Sequence, residues 1–302
     1  MDSPSKVTIP IFIIDTFSDK PFHGSSCPVC VLPYDVVLDE TTMENISIEL
    51  NMAEVAFLRP LKKDEDFKTA RKVGLRWFKP GREVKLCGHG VFATAAVLFC
   101  YFGNKNSRVT CETQYSGPLV VTHDGDVIRV DFPLGVTLEK TQSEYELFVQ
   151  SIGAVQPSIQ DVMLCPSLRY LLVRLRDGWS RKQFEEWRCD MTLMEQAVTT
   201  SNVILVIVTI AGDLGQGYAD KTGVAYDFVS RVFVPFAVRP EDPVTGSAHT
   251  VLAHYWSEQL GKNNLYARQC SQRGGEVVME VEGDRVHMTA HATVVMKGSI
   301  TI

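Results

Sequence analysis

The sequence predicts an α+β protein in which one pattern is used twice, and three observations carry that expectation. Two distant segments, LCGHGVFATAAVLF from Leu86 and VTGSAHTVLAHYW from Val244, each open a helix with small residues directly after an extended stretch. β-rich runs flank both helices, so strand, core helix and strand occur twice. At 302 residues the chain exceeds the usual single domain, and two domains of ordinary size follow.

The opening run, IPIFIIDTFSDKPFHGSSCPVCVLP, reads as two strands about a turn containing Pro21 and Gly24. Leu38 to Asn51 places Met43, Ile46 and Leu50 on a helical spacing, with Thr41 or Asp39 as the candidate cap. AEVAFLRP returns to strand, which puts Glu54 where a helix hands over to a strand, and LRWFKPG resumes the sheet. The helix expected from Gly90 to Phe102 is apolar almost all round, so it belongs in the centre of a core. Strands from Arg108 to Pro133, turning at Ser116-Gly117 and Asp124-Gly125, complete the first half.

Ser143 to Gly153 and Arg181 to Thr199 are charged and amphipathic, as outer helices are. Strands around Tyr170 to Leu175, Val203 to Ile210 and within YDFVSRVFVPF lead to the second core helix, Ala248 to Leu260, stopped by Gly261. Glu276 to Ile302 alternates apolar and polar residues about a Gly283-Asp284 turn and reads as hairpin strands. The expected domains are residues 1–126 with 292–302, and residues 127–291.

With 45% hydrophobic and 22% charged residues the composition is that of a soluble globular protein. No run approaches the roughly 18 apolar residues of a membrane span. Met1 to Pro10 lacks a basic start followed by an apolar signal core, so a cytoplasmic location is expected. A net charge of −6 without a concentration of Lys and Arg argues against a nucleic-acid surface. Of eight cysteines only Cys27 and Cys30 form a CxxC. No second ligand pair accompanies them, so no metal site is expected, and buried strand thiols are favoured over a redox pair.

The chemistry is expected at the two helix starts, where free N–H groups and the positive dipole end attract anions. Gly88 and Gly90 in the first, and Gly246 and Ala248 in the second, leave room for a carboxylate to approach the backbone. If the two starts face each other, they hold one small anionic molecule between them. Glu54 lies in apolar NMAEVAFL, where burial would raise its pKa toward the range of a general acid or base; an exposed strand start is the other reading. His89, favoured neutral at a helix start, would donate or accept one hydrogen bond to a ligand, or simply satisfy a turn. Asp242 and Ser247 taken singly read as a turn cap before Pro243 and a helix cap. A thiolate at Cys87 would have a lowered pKa and could abstract a proton. Its counterpart in the second segment, Thr245, is a poor base, which disfavours a two-thiol racemase.

Nearly end to end, through DTFSDKPFHG, NMAEVAFL, LRWFKPGREVKLCGHG, ETQYSG, SRVFVPF, EDPVTGSAHTVLAHYWSEQLGK and QCSQRGGE, the sequence resembles the PhzF-like phenazine-biosynthesis family, in particular its animal branch. The resemblance implies a fold similar to diaminopimelate epimerase: two related domains, each a mixed sheet or barrel curled round a central apolar helix, with the active site in the cleft between. It implies that Glu54 shuttles a proton while His89, Asp242 and Ser247 position substrate and assist. It also implies isomerisation without metal or organic cofactor, and pairing as a homodimer. The family's S-E-T is Ala53-Glu54-Val55 here, its G-H-A-T is Gly88-His89-Gly90-Val91, and its G-N-P is Gly24-Ser25-Ser26. Loss of the two hydroxyls flanking Glu54 removes possible hydrogen-bond partners, which would bear on both its pKa and the substrate it accepts. A cofactor-independent isomerase of a small carboxylate is therefore the leading expectation. A racemase or epimerase and a non-catalytic binding protein on the same fold are the alternatives.

Overall fold

The computed structural model describes residues 6–140, 142–153, 159–237 and 239–302. The chain divides into two compact units, Met1–Asp131 with Thr289–Ile302, and Phe132–Met288.

In the first unit β1 (Thr8–Thr16) pairs antiparallel with β2 (Ser25–Val31) and with residues 292–301 of the last strand. β2 runs parallel to β3 (Val55–Pro60), and β3 antiparallel to β4 (Lys72–Lys79), which carries the short β5 (Arg82–Val84). β4 is parallel to β6 (Arg108–Thr113), which continues antiparallel into β7 (Leu119–Asp124) and β8 (Val127–Pro133). A parallel pair requires a crossover. Each crossover here contains a helix: α1 (Glu40–Leu50) between β2 and β3, and α2 (Gly88–Ala96) between β5 and β6.

The second unit repeats that succession. After β9 (Leu138–Lys140) and α3 (Glu146–Ile152), β10 (Ile159–Cys165) pairs antiparallel with β9 and β11 (Tyr170–Leu175). α4 (Arg181–Glu186) and α5 (Met191–Thr199) cross to β12 (Leu205–Ala211), parallel to β11. β13 (Phe228–Phe233) is antiparallel to β12 and carries β14 (Glu241–Asp242). α6 (Gly246–Leu260) then crosses to β15 (Asn264–Gln269), parallel to β13 and antiparallel to β16 (Gly275–Glu282). Gly283, at φ +60°, turns the chain into β17 (Arg285–Thr301). α6 thus takes in its unit the place of α2 in the other.

Every residue of α2 is buried, with β1, β2, β3 and β7 packed against it, as a helix without a polar face requires. It begins two residues before the expected Gly90, because Cys87 carries the last extended backbone and Gly88 and His89 are already helical. It gives way at Val97–Tyr101 to a π-helical turn. There Phe99 stacks on His123 at 4.1 Å between centroids, and Tyr101 meets Phe12 at 4.4 Å. α6 likewise starts at Gly246 rather than Ala248, and stops at Gly261 in the left-handed conformation.

The helix of residues 40–50 is capped by Asp39, whose carboxylate accepts from the Thr42 N–H at 2.7 Å, and not by Thr41. Its buried Met43 and Ile46 form a core with Ile9, Phe57 and Phe78. The stretch 181–199 is two helices because it holds two caps: Ser180 closes a capping box with Gln183, and Asp190 accepts from the Leu193 N–H. All eight cysteines are free. Cys27 and Cys30, three apart on β2, project to opposite faces as strand alternation dictates. Cys30 joins the core under α1, and the Cys27 thiol reaches toward the Glu54 carbonyl. Among the described residues no helix is long and apolar enough to cross a membrane.

Candidate active site

Glu54 occupies the short connection between Asn51, whose left-handed backbone ends α1, and Val55, the first residue of β3. Its side chain is 22% exposed, neither bathed in water nor sealed off, and His89 beside it is 9% exposed. Glu54 Oε2 lies 3.4 Å from His89 Nε2. The Cys87 sulfur is 3.6 Å from His89 Nδ1 and 3.7 Å from Nε2, nearly equidistant from the two ring nitrogens.

The environment of Cys87 overturns the thiolate expectation. Burial holds the thiol well above its ordinary pKa, the neighbouring Cys27 thiol and the Glu54 charge act in the same direction, and His89 only partly opposes them. A helix start does not lower a thiol's pKa when desolvation dominates. The Lys79 ammonium is depressed by burial and by Arg82, with the charge of Glu54 working against both. Lys79 therefore sits within electrostatic reach of Glu54, a cation that the sequence reading passed over.

Gly90 owes its lack of a side chain to packing. A Cβ there would fall 2.6 Å from Trp77 Cδ1 and Nε1 and 2.9 Å from Cys87 Sγ. The indole therefore accounts for this glycine without any ligand.

In the second unit the functional candidates gather at the start of α6. Thr245 is its N-cap, and its hydroxyl donates to Asp242 Oδ2 at 2.5 Å. Gln269, fully buried at the end of β15, accepts from the Thr245 N–H at 2.9 Å and donates to the Asp242 carbonyl at 2.6 Å. Asp242 lies on β14, paired with Val232, so it is a strand residue and not merely a turn cap. The preceding Glu241 is fixed by Arg231 through two bonds of 2.7 and 2.8 Å, and the same guanidinium donates to the Phe184 and Trp187 carbonyls. Ser247 is the second residue of α6 and not its N-cap, and its hydroxyl is 3.0 Å from that of Tyr170. Gly246 and Ala248 are buried in the first turn.

The structure thus brings Glu54, His89 and Cys87 together in one unit, and Asp242, Thr245 and Ser247 together in the other. Gln269, Arg231 and Tyr170 were missed. For Gln269 the signal was present: Leu265, Ala267 and Gln269 alternate along β15 and all face inward.

The caps separate the helix starts by use. Asp39, Ser180 and Asp190 bond the first turns of α1, α4 and α5. At α2 and α6 the caps, Cys87 and Thr245, make no side-chain capping bond, as at the short α3. Cys87 (φ −130°, ψ 97°) and Thr245 (φ −108°, ψ 100°) share one backbone conformation. A first turn that its N-cap side chain does not bond suits an anion.

The family profile of phenazine biosynthesis-like proteins, PhzC-PhzF, matches residues 14–298. A phenazine biosynthesis-like domain-containing protein of Bos taurus is 42% identical over 295 residues, covering 97% of this chain and 99% of that protein. A Halalkalibacterium halodurans protein described as an uncharacterized isomerase is 32% identical, covering 98% of this chain and 100% of its own. A solved structure of a PhzF-family phenazine biosynthesis protein from Enterococcus faecalis has a TM-score of 0.78 at 32% identity, covering 97% of this chain and 99% of that one.

Proposed function

The chain belongs to the phenazine biosynthesis-like, PhzF family, and from that membership we propose that it is an isomerase moving a proton on a small carboxylate-bearing metabolite. The observation that carries the proposal is the 3.4 Å approach of His89 Nε2 to the partly buried Glu54 carboxylate beside the uncapped start of α2. Resemblance to a relative described as an isomerase supports it.

Glu54 is assigned the proton transfer: it removes a proton from one carbon and returns it at a neighbouring one. His89 holds the carboxyl group in place by hydrogen bonding and stabilises charge that develops beside it. The first-turn N–H groups at Gly88 to Gly90 are assigned to receive the substrate carboxylate. Asp242, braced by Thr245, and Ser247, braced by Tyr170, are assigned to orienting the substrate. Cys87, kept protonated by burial, is a poor second base, so the expected reaction is migration without inversion.

The test is a screen in deuterated buffer. Small carboxylates from a metabolite extract are incubated with wild-type protein or Glu54→Gln and followed by mass spectrometry and NMR. One deuterium incorporated at a migrated position by wild type only supports the assignment. Exchange that proceeds unchanged with Glu54→Gln removes Glu54 from the chemistry.

A further inference from the structure

Glu54, Cys87 and His89 each present one ligand atom, a carboxylate oxygen, a sulfur and a ring nitrogen, and these lie within 4.8 Å of one another. Zinc bonds of about 2.0–2.3 Å in a tetrahedron place neighbouring ligand atoms about 3.3–3.8 Å apart. Glu54 Oε2 to His89 Nε2 is 3.4 Å, and Cys87 Sγ to the same nitrogen is 3.7 Å. Two of the three edges have tetrahedral length, and because the sulfur is almost equidistant from both ring nitrogens it lies off the Nε2 lone-pair axis, so binding must turn the imidazole to aim Nε2 at the ion.

The scaffold around the trio is firm. Cys87 and His89 lie at the start of a wholly buried helix, and Glu54 is one residue from a buried strand. Sulfur with imidazole and a carboxylate selects zinc-like ions over calcium or magnesium, which take oxygen ligands.

We propose that Glu54, Cys87 and His89 form a site for one zinc-like divalent cation, and that its occupation withdraws Glu54 from proton transfer. Three protein ligands leave a fourth position for water or a substrate oxygen. As the metal–sulfur bond forms, the thiol proton passes to solvent, and no electron changes hands. The oxygen lone pair that would take a substrate proton is then committed to the metal. The inhibitory consequence rests on the isomerase reading; the existence of the site does not.

The test titrates Co2+ into the full-length protein freed of metal by a chelator, and reads the optical spectrum. One equivalent should produce thiolate-to-cobalt charge transfer and the intense visible bands of a tetrahedral ion, both erased by Zn2+. Cys87→Ser should abolish the charge transfer, and His89→Ala should weaken binding by at least about tenfold. Cys100→Ser, which removes the exposed thiol, should change neither. Absence of the bands at about 100 µM cobalt, well above the binding range of zinc-like sites, overturns the proposal. So does charge transfer that survives in Cys87→Ser, or vanishes in Cys100→Ser. Circular dichroism of each variant ensures that a lost band reports a lost ligand, and His89→Ala decides the matter should Cys87→Ser fail to fold. The titration needs no substrate, so a failed titration leaves the isomerase reading standing, and a failed deuterium screen leaves the cation site standing. Where turnover is found, Zn2+ should stop it and a chelator restore it.

Discussion

The side-chain amide of Gln269 spans the segment before α6, accepting from the Thr245 N–H at 2.9 Å and donating to the Asp242 carbonyl at 2.6 Å. A backbone donor and acceptor are thereby satisfied by one fully buried side chain. Gln269→Leu keeps roughly the volume and removes both partners. Each buried group left unpaired costs about 1–3 kcal/mol. A loss of about 2–4 kcal/mol in urea unfolding is expected, and a loss below about 1 kcal/mol would mean that water has taken the place of the amide.

Gly90 tests the packing explanation directly. An added methyl meets the Trp77 indole at 2.6 Å and the Cys87 sulfur at 2.9 Å, so Gly90→Ala should cost about 1–3 kcal/mol through overpacking. Combined with Trp77→Leu it should cost less than the sum of the two, because the methyl then enters vacated space. Strict additivity in the double-mutant cycle would exclude the indole as the cause.

Helix existence was legible where pattern and composition agreed. The apolar circumference of residues 91–99 left α2 no position except the core, and Gly261 marked the end of α6. The starts were misread by two residues, since apolar periodicity does not reveal that Cys87 and Thr245 hold the last extended backbone. Among site residues, Glu54 and His89 were each singled out through the resemblance, but their 3.4 Å approach was not legible, because it depends on how β3 and α2 pack. The protonation of Cys87 was not, because it depends on Cys27 and on burial by strands distant in the chain. Gly90 looked like a ligand-facing residue because its neighbour Trp77 is 13 residues away in sequence, on another element.

Thiol reactivity offers a check on burial. Cys100 is exposed and Cys189 half-buried, while Cys27, Cys30, Cys87, Cys111, Cys165 and Cys270 are buried. An aromatic disulfide reagent should modify one thiol rapidly in the native protein, the fast phase should vanish in Cys100→Ser, and denaturant should release all eight. Equally fast labelling of Cys87, mapped by mass spectrometry, would show that the helix start opens to solvent.

His249 supplies an acid-sensitive contribution to stability. Its Nδ1 is 2.8 Å from the Thr245 carbonyl, which assigns the proton to Nδ1 and leaves Nε2 buried without a partner. Burial pushes its pKa down to about 4, the bond to Thr245 opposing the shift. An unfolded histidine titrates near 6.5. Below that value the unfolded chain takes up a proton that the folded chain refuses, so stability is fully present above about pH 6.5 and falls as the pH drops toward 4. At about 1.4 kcal/mol per pH unit, between pH 7 and pH 4.5 the loss is about 2–3 kcal/mol. His249→Leu removes the titrating ring and retains the helical N–H bond from residue 249 to the Thr245 carbonyl. Urea unfolding at the two pH values should show a smaller acid-induced loss in the variant than in wild type, by that amount. Equal losses would place the acid sensitivity in the carboxylates, and would mean that water reaches Nε2.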